Sequence, residues 1–89
     1  MVTRFFGCAV CGYKTVTDSY EICHICMWEC DPAQEKDPDS RTGANRISLR
    51  KAQENFRRFG AIDKRAVEYT SPPGPDDEKD PNWKPLDEV

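Results

Sequence analysis

Cys8-Ala9-Val10-Cys11-Gly12-Tyr13 and Cys23-His24-Ile25-Cys26-Met27-Trp28, with eleven residues between Cys11 and Cys23, decide the fold. Two residues between cysteines let both sulfurs of a pair face one point from a single tight turn. Two such turns supply the four thiolates of a tetrahedral structural zinc. The positive φ of this kind of turn falls just after the second cysteine, and Gly12 occupies that position in the first pair. Cys8, Cys11, Cys23 and Cys26 are therefore the expected metal ligands, for one zinc per chain.

Working outward, Thr3 to Phe6 reads as a short strand leading into the first pair. Between the pairs, Tyr13-Lys14-Thr15-Val16 and Tyr20-Glu21-Ile22 read as two strands joined by the turn residues Thr17-Asp18-Ser19. Pairing them would bring both cysteine pairs to one end of a hairpin. Trp28 is expected in the core over the sulfurs. The segment from Glu29 to Ser40, with Asp31-Pro32 and Asp37-Pro38-Asp39, reads as a loop.

The one main helix is expected over residues 49–59. Ser48 is its N-cap, Leu49, Ala52, Phe56 and Phe59 recur at helical spacing, and Gly60 is its terminating glycine. Arg50, Lys51, Gln53, Glu54, Arg57 and Arg58 are expected to face solvent. The fold class is thus a small α+β, zinc-ribbon-like domain: a β-hairpin with two zinc knuckles, one main helix and an extended C-terminal tail. Residues 1–66 form the knuckle-and-helix domain. Residues 67–89 form a Pro-rich acidic tail, extended or partly disordered, whose Trp83, Pro85 and Leu86 either dock on the domain or await a partner.

Size supports a role for metal. A chain of 89 residues, 37% hydrophobic and 33% charged, builds a thin core. A structural zinc is worth on the order of 10 kcal/mol in small peptides. The run from Phe5 to Tyr13, broken by cysteines, is a poor export signal, and no stretch is long and apolar enough for a membrane span. A cytoplasmic location is therefore expected, where reduced cysteine pairs favour metal over disulfides. Cys30 is the fifth cysteine and stands outside the two pairs.

Charge is segregated along the chain. Residues 1–40 hold 3 basic and 7 acidic side chains, 41–65 hold 8 and 2, and 66–89 hold 2 and 7, within a net charge of −3. Four thiolates and one divalent cation would take the total to −5. An acidic balance favours a basic protein partner, with Glu29, Asp31, Glu35, Asp37, Asp39, Asp76, Asp77, Glu78 and Trp83 as candidate contacts. The alternative is nucleic-acid binding through the basic segment 41–65, with Arg46, Arg50, Lys51, Arg57 and Arg58 as candidates. No catalytic set stands out. A catalytic zinc needs an open coordination position that four thiolates close, and His24, the one histidine, lies inside the second knuckle.

The motifs resemble the bacterial cysteine-rich CPCC-type family of small zinc-binding proteins. Cys8-Ala9-Val10-Cys11-Gly12-Tyr13 is similar to its C-P-C-C-G-Y opening. Tyr20-Glu21-Ile22-Cys23-His24-Ile25-Cys26-Met27-Trp28-Glu29 is similar to its Y-E-I-C-x-x-C-x-W-E stretch. Gly43-Ala44-Asn45-Arg46-Ile47-Ser48-Leu49, with Ala52-Gln53-Glu54-Asn55-Phe56, is similar to its third block, so the likeness runs over residues 8–61. Here Ala9 and Val10 replace the family's proline and middle cysteine, and Cys30 stands where an acidic residue is usual. The resemblance implies a zinc-binding fold without a settled activity. By analogy with accessory genes beside bacterial toxins, it suggests an immunity-type protein that inhibits a cognate toxin.

Overall fold

Each cysteine pair closes its own reverse turn through backbone hydrogen bonds. The structure, a computed structural model, describes residues 4–87. In the first turn the Cys8 amide donates to the Tyr13 carbonyl (2.9 Å) and the Gly12 amide to the Cys8 carbonyl (2.8 Å). The second repeats the pattern, Cys23 N to Trp28 O at 2.9 Å and Met27 N to Cys23 O at 2.7 Å. Gly12 (φ 81°) and Met27 (φ 72°) hold the equivalent left-handed positions. Glycine takes this conformation freely, whereas methionine does so at a cost of about 1 kcal/mol.

The expected architecture is present: a two-stranded antiparallel hairpin, one main helix and four clustered cysteines. Its pairing differs from the expected one. Strand β2 (Lys14–Val16) pairs with β1 (Phe6–Gly7) across the first knuckle, Phe6 facing Val16 and Gly7 facing Lys14, and not with residues 20–22. The expected strand start at Thr3 lies outside the described residues. Residues 20–22 are turned away because Tyr20 is left-handed (φ 66°) and because Glu21 caps the turn, its carboxylate accepting from Thr17 N at 2.7 Å and Thr17 Oγ1 at 2.6 Å. They pair instead across their own knuckle, with an Ile22–Glu29 bridge and Cys30 N donating to Glu21 O at 2.8 Å.

The 29–40 segment, expected to be a loop throughout, contains the short helix α1 (Pro32–Lys36). Asp31 is its N-cap, with Oδ1 accepting from Ala33 N at 2.9 Å, and proline occupies the first turn. There its missing N–H costs nothing. Glu35 folds back so that its Oε2 accepts from Asp31 N and from Trp28 Nε1, both at 3.1 Å.

Helix α2 (Leu49–Phe59) begins at Ser48, whose hydroxyl accepts from Lys51 N, and ends at left-handed Gly60. Leu49 and Ala52 are buried in one cluster with Trp28, Ile25, Val10, Val16 and the four paired cysteines, and Phe56 packs against it half-buried. Gln53, expected in solvent, is buried. Its Nε2 donates to Ala9 O and its Oε1 accepts from Leu86 N, each at 2.8 Å. This follows from its place beside Ala52 and Phe56 on the inner face, where the first knuckle and the tail both present unpaired backbone groups.

A 3-10 turn over Lys64–Tyr69 follows α2, and the extended tail then crosses both knuckles. Ser71 N donates to His24 O on the second (3.0 Å). On the first, Lys14 N donates to Glu78 O (2.8 Å) and Asp80 N to Gly12 O (2.7 Å). Trp83 Nε1 reaches Ala9 O at 2.9 Å. A Cβ on Gly12 would lie 2.5 Å from the Trp83 ring, so this glycine serves both the turn and the docking of the tail.

Candidate metal centre

Because the two turns face each other, their four sulfurs meet. The Sγ atoms of Cys8, Cys11, Cys23 and Cys26 all lie within 4.8 Å of one another. Cross-knuckle separations are 3.5 Å for Cys8–Cys26 and 3.7 Å for Cys11–Cys23. A tetrahedron with metal–sulfur bonds of ~2.3 Å has edges of ~3.8 Å. The set therefore fits one ion held by two sulfurs from each knuckle. Each of the four residues is at most 2% exposed, so the site is closed to solvent.

The protons of these thiols are mutually strained. Hydrogen bonding with Cys11 and Cys23, then burial, pushes Cys8 far up, and the same neighbours push Cys26 up. Hydrogen bonds from Cys11 and then Cys26 pull Cys23 down. Among themselves the sulfurs favour a thiolate at Cys23 and penalise one at Cys8 or Cys26, and a divalent cation at the centre removes that penalty. With four sulfurs in place, a tetrahedral ion has no open position for water or substrate.

Trp28 is buried in the core with the four cysteines, and its indole N–H is satisfied by Glu35. Val10, at the position of the missing middle cysteine, is buried in the core. Cys30 is buried apart from the cluster. Its thiol is pushed up to about 11, first by burial and then by the Glu35 charge. His24 is exposed, its Nε2 3.8 Å from Asp77.

The acidic candidates divide. Asp31 is the buried cap of α1 and also accepts from Ala44 N at 2.9 Å, which lowers its carboxyl below the usual range. Glu35 holds Trp28, Glu29 is tied through its backbone to Asn45, and Asp39 pairs with Arg50 at 2.8 Å. Asp37, Asp76 and Glu78 are exposed, Asp77 is half-buried beside Gly74 N, and Trp83 is half-buried on the first knuckle. The basic candidates divide likewise. Arg50 pairs with Asp39, Arg57 makes a two-pronged contact with Asp87 (3.1 and 2.9 Å), and Arg58 lies over the Phe59 ring. Arg46 and Lys51 line one cleft with Arg41.

Sequence reading missed the buried amide Gln34. Its Nε2 shares two protons among the carbonyls of Ser40, Asn45 and Ile47 (3.2, 3.1 and 3.1 Å), and its Oε1 accepts from Asn45 N and Nδ2, both at 3.0 Å. The signal that locates it is Asp31-Pro32, a cap followed by a first-turn proline, which places Gln34 on the inner side of a helix.

No helix of the described residues is long and apolar enough to cross a membrane. Among curated proteins, none matches the chain. The family model described as Cysteine-rich CPCC matches residues 6–77, across both knuckles, α1, α2 and the start of the tail. The chain belongs to the cysteine-rich CPCC family.

Proposed function

We propose that this chain is a non-catalytic binding module in which zinc is the structural ion, and that it acts as an immunity-type protein, inhibiting a bacterial toxin by covering its substrate-binding surface. The observation that carries the non-catalytic part is the closed, buried set of four sulfurs, which leaves the ion nothing to do but hold the knuckles together. Zinc suits an all-thiolate tetrahedral set, and reduced thiols suit the cytoplasm.

A basic toxin such as a nuclease fits the acidic balance of the chain, −5 with four thiolates and one divalent cation added to −3. The surface best suited to it is the cleft where Asp76 and Glu78 stand beside Phe5, with Arg4 and Lys14 at its side. Phe5 is 53% exposed. Aromatic side chains are enriched at protein interfaces. Nucleic acid fits less well, since Asp39 and Asp87 neutralise Arg50 and Arg57 on the basic helix.

The test is co-expression with a toxin encoded beside this chain. Restored growth and a stable complex are expected, with Phe5→Ala and Asp76→Lys weakening the complex at unchanged metal content. Neither growth rescue nor a complex would refute the immunity reading. Elemental analysis of native protein purified under reducing conditions checks the metal, one zinc per chain being expected.

A further inference from the structure

Three of the basic side chains meet at one place. Arg41, Arg46 and Lys51, with Ile47 and Ser48, line a cleft of about 540 Å³ between the 41–47 loop and the first turn of α2. Among the described residues neither arginine meets a carboxylate, and Lys51 meets only Glu54, at 3.5 Å on the open surface.

These charges are mounted on a stiff frame. Gln34 fixes the carbonyls of Ser40, Asn45 and Ile47, and Asp31 fixes the amide of Ala44. The backbone is therefore pinned on both sides of Arg41 and of Arg46 by groups that are themselves buried. Placing cations on an immobile loop reduces the ordering cost of binding an anion. A second observation points the same way. Ser48 is 9% exposed and lines the cleft; its oxygen accepts from Lys51 N, but its hydroxyl proton has no acceptor among the described residues. The first-turn amides of Arg50 and Lys51 are already bonded, to Pro38 O and Ser48 Oγ, so recognition there falls to side chains.

We propose that this cleft binds a small organic phosphate carrying two or more negative charges, with Arg41, Arg46 and Lys51 on the phosphate oxygens, Ser48 donating to one of them and Ile47 against the organic part. Arginine suits phosphate because its planar fork donates two parallel hydrogen bonds. The volume lies within the ~300–1,000 Å³ usual for small-molecule sites. A compact ligand is favoured over a nucleic-acid strand because the segments flanking 41–65 carry 14 acidic against 5 basic side chains, which repel a long polyanion. This site is independent of the toxin-binding reading.

The experiment is isothermal titration of adenosine 5′-diphosphate into the zinc-loaded full chain at low salt. One saturable site is expected, weakened about tenfold by Arg41→Ala and by Arg46→Ala, as loss of a charged hydrogen-bonding partner implies. Arg58→Ala, remote on Phe59, should leave it within about twofold. Zinc content and circular dichroism confirm the fold of each variant, and Arg46→Gln replaces any alanine variant that fails to fold. Absence of binding, or binding indifferent to Arg41 and Arg46, overturns the proposal. So does equal affinity for inorganic phosphate, which would mean an anion contact only, or tighter binding of a single-stranded DNA oligonucleotide, which would mean a nucleic-acid surface.

Discussion

Replacing Gln34 with methionine, close in volume but without the amide, should destabilise the protein severely although the residue touches no sulfur. Gln34 is 0% exposed and joins α1 to the loop that leads into α2 through five hydrogen bonds. Three of these, to the carbonyl, amide and side-chain nitrogen of Asn45, lie between fully buried groups. A buried group left without a partner costs about 1–3 kcal/mol. Asn45 Nδ2 keeps its bond to Glu29 O, and the partly exposed carbonyls of Ser40 and Ile47 can turn to water. The expected loss is therefore about 3–5 kcal/mol. For a chain of 89 residues the whole stability is about 4–13 kcal/mol. Guanidinium unfolding followed by circular dichroism, at one saturating zinc concentration because bound metal adds its own stability, measures the difference. Amide exchange at Ala44 and Asn45 should rise in parallel. A loss under about 1 kcal/mol with unchanged exchange would refute the view that this amide organises the 40–47 loop.

Serine in place of any one of Cys8, Cys11, Cys23 or Cys26 should abolish stoichiometric metal and folding together, as should a chelator, whereas Cys30→Ser should preserve both; elemental analysis and circular dichroism decide. Gly12→Ala should cost at least about 2 kcal/mol by denaturant unfolding, since it combines a left-handed φ with a clash against Trp83. Trp83→Ala should speed zinc transfer to a chromophoric chelator, because Trp83 covers a cleft that reaches Cys11. The Cys30 thiol has a folded value of about 11, above its ordinary 9.0. Its contribution to stability is complete below pH 9 and is lost as pH rises toward 11, a slope that Cys30→Ala should remove.

The main helix was legible because its signals are local: a serine cap, an apolar stripe and a terminating glycine, all within residues 48–60. Helix α1 was written just as locally in Asp31-Pro32, but the density of acids and prolines around it reads first as loop. Two β-prone runs between the cysteine pairs predict a hairpin there. Strand propensity says nothing about which run is a neighbour, and the left-handed turn at Tyr20 sent the second run back across its own knuckle. Gln53 reads as a solvent-facing residue because glutamine is polar. Its environment depends on Ala9 and Leu86, 44 residues before it and 33 after.

The sequence by itself determined the ligand set, since two C-x2-C spacings admit few chemistries and each turn closes within six residues. It also determined the helix and the segregation of charge. Tertiary structure alone decided which charges remain available. Asp31 and Glu35 are consumed inside, Arg50 and Arg57 are paired on the surface, and Arg41 and Arg46 line one cleft with Lys51, whose contact with Glu54 is an open surface one. The physical reason is range. A knuckle or a helix cap is satisfied by bonds between near neighbours, whereas the pairing of a charge depends on which distant segment the fold brings within about 4 Å of it.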